Sequence, residues 1–166
     1  AKDKAGNTSI KSCNYNVIPP GGAHDVDADL TIGRDIAVGT GGTKTVDVKA
    51  SCKNETAPEN VRCTVQVSGL PSFCFVQNGA GPAMPGPGTI FLVDNTSSYA
   101  TNQTKNFDFK LKTTCSSALL KGQVFPLTFK ACADGGIITP GQPCVDSDLT
   151  PDKSPNVVTK SVNLKR

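Results

Sequence analysis

From Asp25 to Ile32 the chain alternates without a break: Val26, Ala28, Leu30 and Ile32 are apolar, and Asp25, Asp27, Asp29 and Thr31 are polar. Successive side chains of a strand point to opposite faces, so this segment has one dry face and one acidic face, a sorting that no helix gives. The same alternation returns in Val46, Val48, Ala50 and Cys52, and again in Val61, Cys63, Val65 and Val67. No segment keeps a helical period. Gly and Pro punctuate the pattern at Pro19-Pro20-Gly21-Gly22, at Gly39 to Gly42 and across Gly79 to Gly88. Such short strands between turn signals predict an all-β sandwich of about eight or nine strands.

Further strands are predicted at Thr89 to Val93, Phe107 to Thr113, Val124 to Ala131 and Val157 to Leu164. Pro71 to Val76 reads as a short edge strand, and Gly79 to Gly88 as a loop too rich in Gly and Pro for helix or strand. Phe107, Phe109 and Leu111 share a face, as do Phe125, Leu127 and Phe129, and these are core candidates. Lys160 falls on the apolar face of the last strand, which predicts an edge position or a side chain that reaches out to water. Ahead of the sandwich, Ile10 to Ile18 forms a separate strand with Cys13, Tyr15 and Val17 on one face. The Pro-Pro-Gly-Gly break detaches it, so the chain divides into an arm and hinge at residues 1–22 and a sandwich domain at 23–166.

The 7 cysteines stand at the ends and faces of these strands. At 166 residues the chain can bury a core without them, so they add durability suited to an oxidising compartment. Cys52 with Cys63 would staple a hairpin or corner, Cys132 with Cys144 the mouth of the turn-rich stretch before the last strand, and Cys74 with Cys115 would join across the sandwich. Cys13 is then the odd thiol, either buried and inert or paired with another molecule. Four Asn-x-Ser/Thr sequons, at Asn7, Asn54, Asn95 and Asn102, lie in polar, turn-like surroundings suited to surface glycans. The expected location is extracellular or cell-surface, the chain being read as a mature form after removal of a signal peptide.

The net charge of +3 is scattered, which speaks against nucleic acid, and no apolar run is long enough to span a membrane. Catalysis finds few materials. The single histidine, His24, sits beside a Gly-Gly turn, and the glutamates Glu55 and Glu59 share one loop; no nucleophile elbow or phosphate loop is present. No cofactor is expected, and no cysteine or histidine spacing suits zinc or haem. Asp25, Asp27 and Asp29, or Asp146, Asp148 and Asp152, offer oxygen ligands of the kind calcium takes, but a solvated acidic face is the simpler reading. Sugar stacking has little support, with no Trp and only Tyr15 and Tyr99.

Thr43 to Cys52, the Val65-Gln66-Val67-Ser68-Gly69-Leu70-Pro71 stretch, the Pro-Gly loop before Thr89, and Phe125 to Cys132 followed by a final edge strand together resemble the immunoglobulin-like sandwich domains of prokaryotic cell-surface and pilus-type proteins. The buried Trp of antibody-type domains is missing. The resemblance implies a scaffold for adhesion or assembly. The expected function is thus a non-enzymatic structural subunit of an extracellular assembly, a pilus-like filament or surface layer. Its arm, through Ile10, Cys13, Tyr15 and Val17, would add a strand to another copy or another surface protein. The alternative is a monomeric secreted adhesion or ligand-binding module that uses the 79–88 and 134–155 loops.

Overall fold

A computed structural model describes residues 25–39, 42–116, 119, 121–135 and 156–166. Among them the regular structure is all strand. In chain order the strands are β1 (Val26–Ile32), β2 (Asp35–Ala37), β3 (Thr43–Asn54), β4 (Glu59–Ser68), β5 (Cys74–Asn78), β6 (Met84–Pro85), β7 (Ile90–Tyr99), β8 (Gln103–Asn106), β9 (Phe109–Cys115), β10 (Val124–Gly135) and β11 (Val157–Lys165). They form two sheets. One runs β1-β3-β9-β5-β6, with β8 also paired to β3; the other runs β2-β11-β10-β4-β7.

The alternation seen in sequence becomes the inside and outside of this sandwich. β1 pairs antiparallel with β3 from Val26 opposite Asn54 to Ile32 opposite Val48, so the apolar members of both strands share the inner face. Opposite them stand Leu127 and Phe129 of β10 and Leu164 of β11, all fully buried. Phe107, Phe109 and Phe125 pack on this core while partly exposed. Gly33 and Arg34 carry the chain from one sheet to the other, where β2 lies parallel to the end of β11. Asn163 donates its N–H to the Arg34 carbonyl, which fastens that crossing.

Several elements depart from the sequence reading. The described residues hold eleven strands, and the excess comes from β2, β6 and β8, which are too short to show a periodicity. The stretch expected to be an irregular loop contains β6, whose Met84 and Pro85 pair with Val76 and Phe75. β5 therefore has a neighbour on each side there and is not an edge strand, because β9 pairs along its other flank. Gly86 allows this close return: a Cβ there would stand 2.7 Å from the Pro71 carbonyl oxygen and closer still to that of Leu70. β7 runs on to Tyr99, well past the Val93 expected from the apolar run, since its second half is polar. Lys160 does face inward, opposite Phe129, yet is exposed. β2 covers β11 only from Asn163 to Lys165, so at Lys160 the strand is a sheet edge among the described residues.

Candidate interaction edges and their staples

The five described cysteines are all in disulfides. Cys52 lies on β3 and Cys63 on β4, consecutive strands of different sheets, so of the hairpin or corner expected for this bond it is the corner that is stapled, and the two layers are tied together. Cys74 and Cys115 lie opposite each other on neighbouring strands of one sheet, so the bond expected to cross the sandwich stays within a layer. The ladder explains why. Ser116 donates its N–H to the Phe73 carbonyl at 3.0 Å, which leaves Cys74 and Cys115 as the adjacent non-hydrogen-bonded pair, where opposed Cα atoms come closest. Cys132 is also disulfide-bonded. Its expected partner Cys144 lies outside the described residues, as do Cys13, His24, Asn7, the arm residues Ile10, Tyr15 and Val17, and Asp146, Asp148 and Asp152.

β4 is buried on both faces from Val61 to Val65. Its inner face is apolar, but the other face buries Arg62, whose side chain is 1% exposed. The guanidinium forks onto Asp94 of β7, with Nε to Oδ1 at 2.7 Å and Nη2 to Oδ2 at 2.9 Å, and lies 6.0 Å from the Phe91 ring centroid. Its hydrogen bonds to the Asp94 carboxylate are the largest influence holding Arg62 protonated above its ordinary range. Sequence reading passed over this residue. Its signal was a charge placed in the middle of the most apolar strand.

β7 ends its sheet among the described residues, and its backbone edge is partly blocked. A bulge breaks its register with β4 beside Val65 and Gln66. Nearby, the Leu92 carbonyl accepts from Asn78 Nδ2 at 2.7 Å. At the far end Lys105, from β8 in the opposite sheet, donates to the Ser98 carbonyl at 2.7 Å and to Ser97 Oγ at 3.0 Å, with its ammonium over the Tyr99 ring. Bulges and edge lysines are devices that keep a strand edge from pairing out of turn.

Asn54, one of the sequon asparagines, is fully buried. Its Nδ2 donates to the Thr56, Ala57 and Ala100 carbonyls, and its Oδ1 accepts from the Thr56 N–H and hydroxyl. This corrects its reading as a surface residue: the amide is the hub of the turn that takes β3 into β4. Asn95 and Asn102 are exposed.

Asp27 and Asp29 project from the acidic face of β1, where Asp27 stands opposite Lys53 and Asp29 accepts from the following Leu30 N–H. Glu55 pairs with Lys53, and Glu59 Oε1 lies 3.2 Å from the Thr56 hydroxyl oxygen, sharing its single proton with Asn54 Oδ1. Among the described residues no three His, Cys, Asp or Glu side chains gather as a metal site. Lys165 and Lys110, chiefly through their hydrogen bonds, hold the Asp35 and Asp47 carboxyls below their ordinary range. A groove of about 550 Å³ runs past Asp47, Lys49, Asp108 and Lys110, floored by Val48 and Phe109. Its charged lining includes the Asp47–Lys110 ion pair and no histidine, cysteine or serine. No helix among the described residues is long and apolar enough to cross a membrane.

No protein-family model and no curated protein matches the chain. Among solved structures it is similar to the N-terminal domain of PorA, with a TM-score of 0.45 and 14% identity over 85% of this chain and 98% of that one. A β-glucosidase from Listeria innocua in complex with isofagomine is similar at a TM-score of 0.44 and 10% identity, covering 99% of this chain and 21% of that one, so the chain spans about a fifth of the glucosidase. AvmM, which catalyses macrocyclization in alchivemycin A biosynthesis, is similar at a TM-score of 0.37 and 9% identity, over 85% of this chain and 89% of that one.

Proposed function

We propose that the chain is a non-enzymatic structural subunit of an extracellular assembly, built on an immunoglobulin-like sandwich and joined to its neighbours by strand addition. The immunoglobulin-like reading rests on strand order. When β1, β3, β4, β5, β9, β10 and β11 are taken as seven successive strands, the first, second, fifth and fourth line one sheet and the third, sixth and seventh the other, the order of a constant-type domain. β2 and β7 then extend the second sheet.

The observation that most favours a structural role is the way the molecule is fastened. One disulfide ties the layers, another ties neighbouring strands, and all five described cysteines are oxidised, which fits an oxidising compartment. The buried charge of Arg62 is committed to Asp94, which supports a fold-holding role for that pair. The arm at residues 1–22 lies outside the described residues; its assigned task is to supply Ile10 to Ile18 as an added strand on the sheet edge of a neighbour.

Removal of residues 1–18 tests this. Full-length protein should form polymers visible by electron microscopy, and the truncated protein should remain a folded monomer on size-exclusion chromatography. Unchanged polymers after truncation would sink strand addition. A full-length protein that stays monomeric at high concentration would favour the secreted binding module instead, with the 79–88 turn, tied down by β6, as its preformed surface.

A further inference from the structure

Three sequons fall among the described residues, and the fold treats them differently. Asn102 is the third residue of a turn closed by the Gln103 N–H on the Ala100 carbonyl at 3.1 Å, and the same turn is closed again by the Ala100 N–H on Gln103 Oε1 at 2.8 Å. Its φ of 58° lies in the left-handed region, which Asn tolerates, and its side chain is exposed. Thr104, which completes that sequon, is exposed as well. Asn95 is exposed on β7, but Ser97 of its sequon receives a hydrogen bond from Lys105. Asn54 has both its amide groups engaged inside the fold.

We propose that Asn102, and to a lesser extent Asn95, carry N-linked glycans, and that Asn54 carries none in the folded protein. The step is glycosyl transfer from a lipid- or nucleotide-linked sugar diphosphate. Asn Nδ2 bonds to the sugar C1, the C1–O bond to the carrier diphosphate breaks with its electron pair leaving on that oxygen, and the amide proton lost from nitrogen goes to the departing diphosphate. A glycan on Asn54 Nδ2 would displace the three carbonyls that this nitrogen serves, so a chain modified there cannot close its β3–β4 turn. Sugars at Asn95 and Asn102 would instead stand along β7 and the turn that follows it, covering an edge already guarded by its bulge and by Lys105. These sites stand whether or not the chain polymerises.

The test is secretion of the full chain, carrying Asn7→Gln to remove the sequon outside the described residues, from a yeast that glycosylates Asn-x-Ser/Thr. Enzymatic removal of glycans in heavy-oxygen water marks each formerly modified Asn as labelled Asp for peptide mapping. The expected result is label at residue 102 in most molecules, label at 95 in a smaller fraction, and unlabelled Asn at 54; N102Q should remove the larger part of the glycan mass. Unmodified Asn102 in secreted protein, occupancy at 95 above that at 102, or label at 54 in molecules with the Cys52–Cys63 bond formed would each overturn the proposal.

Discussion

Lys105 holds its ammonium 4.5 Å from the centroid of the Tyr99 ring, so a residue of one sheet closes over the last residue of an edge strand in the other. The ring beneath is 2% exposed, and burial pushes the Tyr99 hydroxyl up to about 12. A phenol whose folded pKa is raised stays protonated in the fold while the unfolded chain already ionises near pH 10, so its contribution is complete below that point and is lost as pH rises toward 12. Tyr99→Phe keeps the ring and the cation contact but removes this titration. The stability advantage of wild type over Tyr99→Phe should therefore shrink by about 2 kcal/mol between about pH 9 and about pH 11.5. Urea titrations of both proteins at the two pH values measure it. Parallel pH profiles would show that the hydroxyl is open to water.

How much of this was legible in the chain depends on the scale of the signal. Strand faces were, because alternation is local: Val26 to Ile32 and Val61 to Val67 bury the residues that their pattern puts inside. The sheet to which a strand belongs was not, because alternation is identical in either layer. That is why the sequence leaves Cys52–Cys63 open between a hairpin and a corner, and why Cys74–Cys115 reads as a cross-layer bond when it joins neighbouring strands of one sheet. Asn54 looked like a surface residue because Asn favours turns, and a turn residue whose side chain serves the backbone inside the fold has the same local sequence as one that points to water. Arg62 acts through a partner 32 residues away on another strand, and the place of Lys105 over Tyr99 depends on which sheet each strand joins, which alternation does not fix.

Cys52–Cys63 and Cys74–Cys115 close loops of different length, 11 and 41 residues apart in sequence. In the chain-entropy account, removing the shorter crosslink costs about 3 kcal/mol and removing the longer about 4 kcal/mol. Cys74→Ala/Cys115→Ala should thus be the less stable of the two double mutants by about 1 kcal/mol. The order is read from guanidinium midpoints with matched slopes. If Cys52→Ala/Cys63→Ala proves the weaker, tying the layers outweighs loop length, and the entropic account fails for this sandwich.

Arg62 is 1% exposed while Asp94 keeps 36% of its side chain in water. Asp94→Asn leaves a buried guanidinium without its fork, whereas Arg62→Met replaces the charge by an apolar chain of similar length beside Phe91. Breaking one side of a buried pair costs more than replacing its buried member with an apolar side chain. Asp94→Asn should destabilise by about 2 kcal/mol, short of the full penalty for a buried pair because Asp94 is partly solvated, and Arg62→Met by less. Thermal melts in low and high salt check this, since a buried fork should change little with ionic strength. Equal losses in the two variants would mean that Arg62 matters for its packing alone.

Asn54 serves three carbonyls with one nitrogen and two Thr56 donors with one oxygen, all within the turn from β3 to β4 and the end of β7. Asn54→Ala leaves those groups without their side-chain partner and should cost about 2 kcal/mol. Asn54→Asp is the sharper test. It keeps the shape and the oxygen that receives Thr56, but turns the donor toward Ala57 and Ala100 into a second acceptor, so carbonyl dipoles and a buried carboxylate face each other. The Asp variant should be the less stable of the two above about pH 6 and should recover part of the difference as pH falls and the carboxyl takes a proton that it can donate. Urea midpoints across that range decide it. An Asp variant as stable as wild type at neutral pH would show that water reaches the turn and that Asn54 is not its hub.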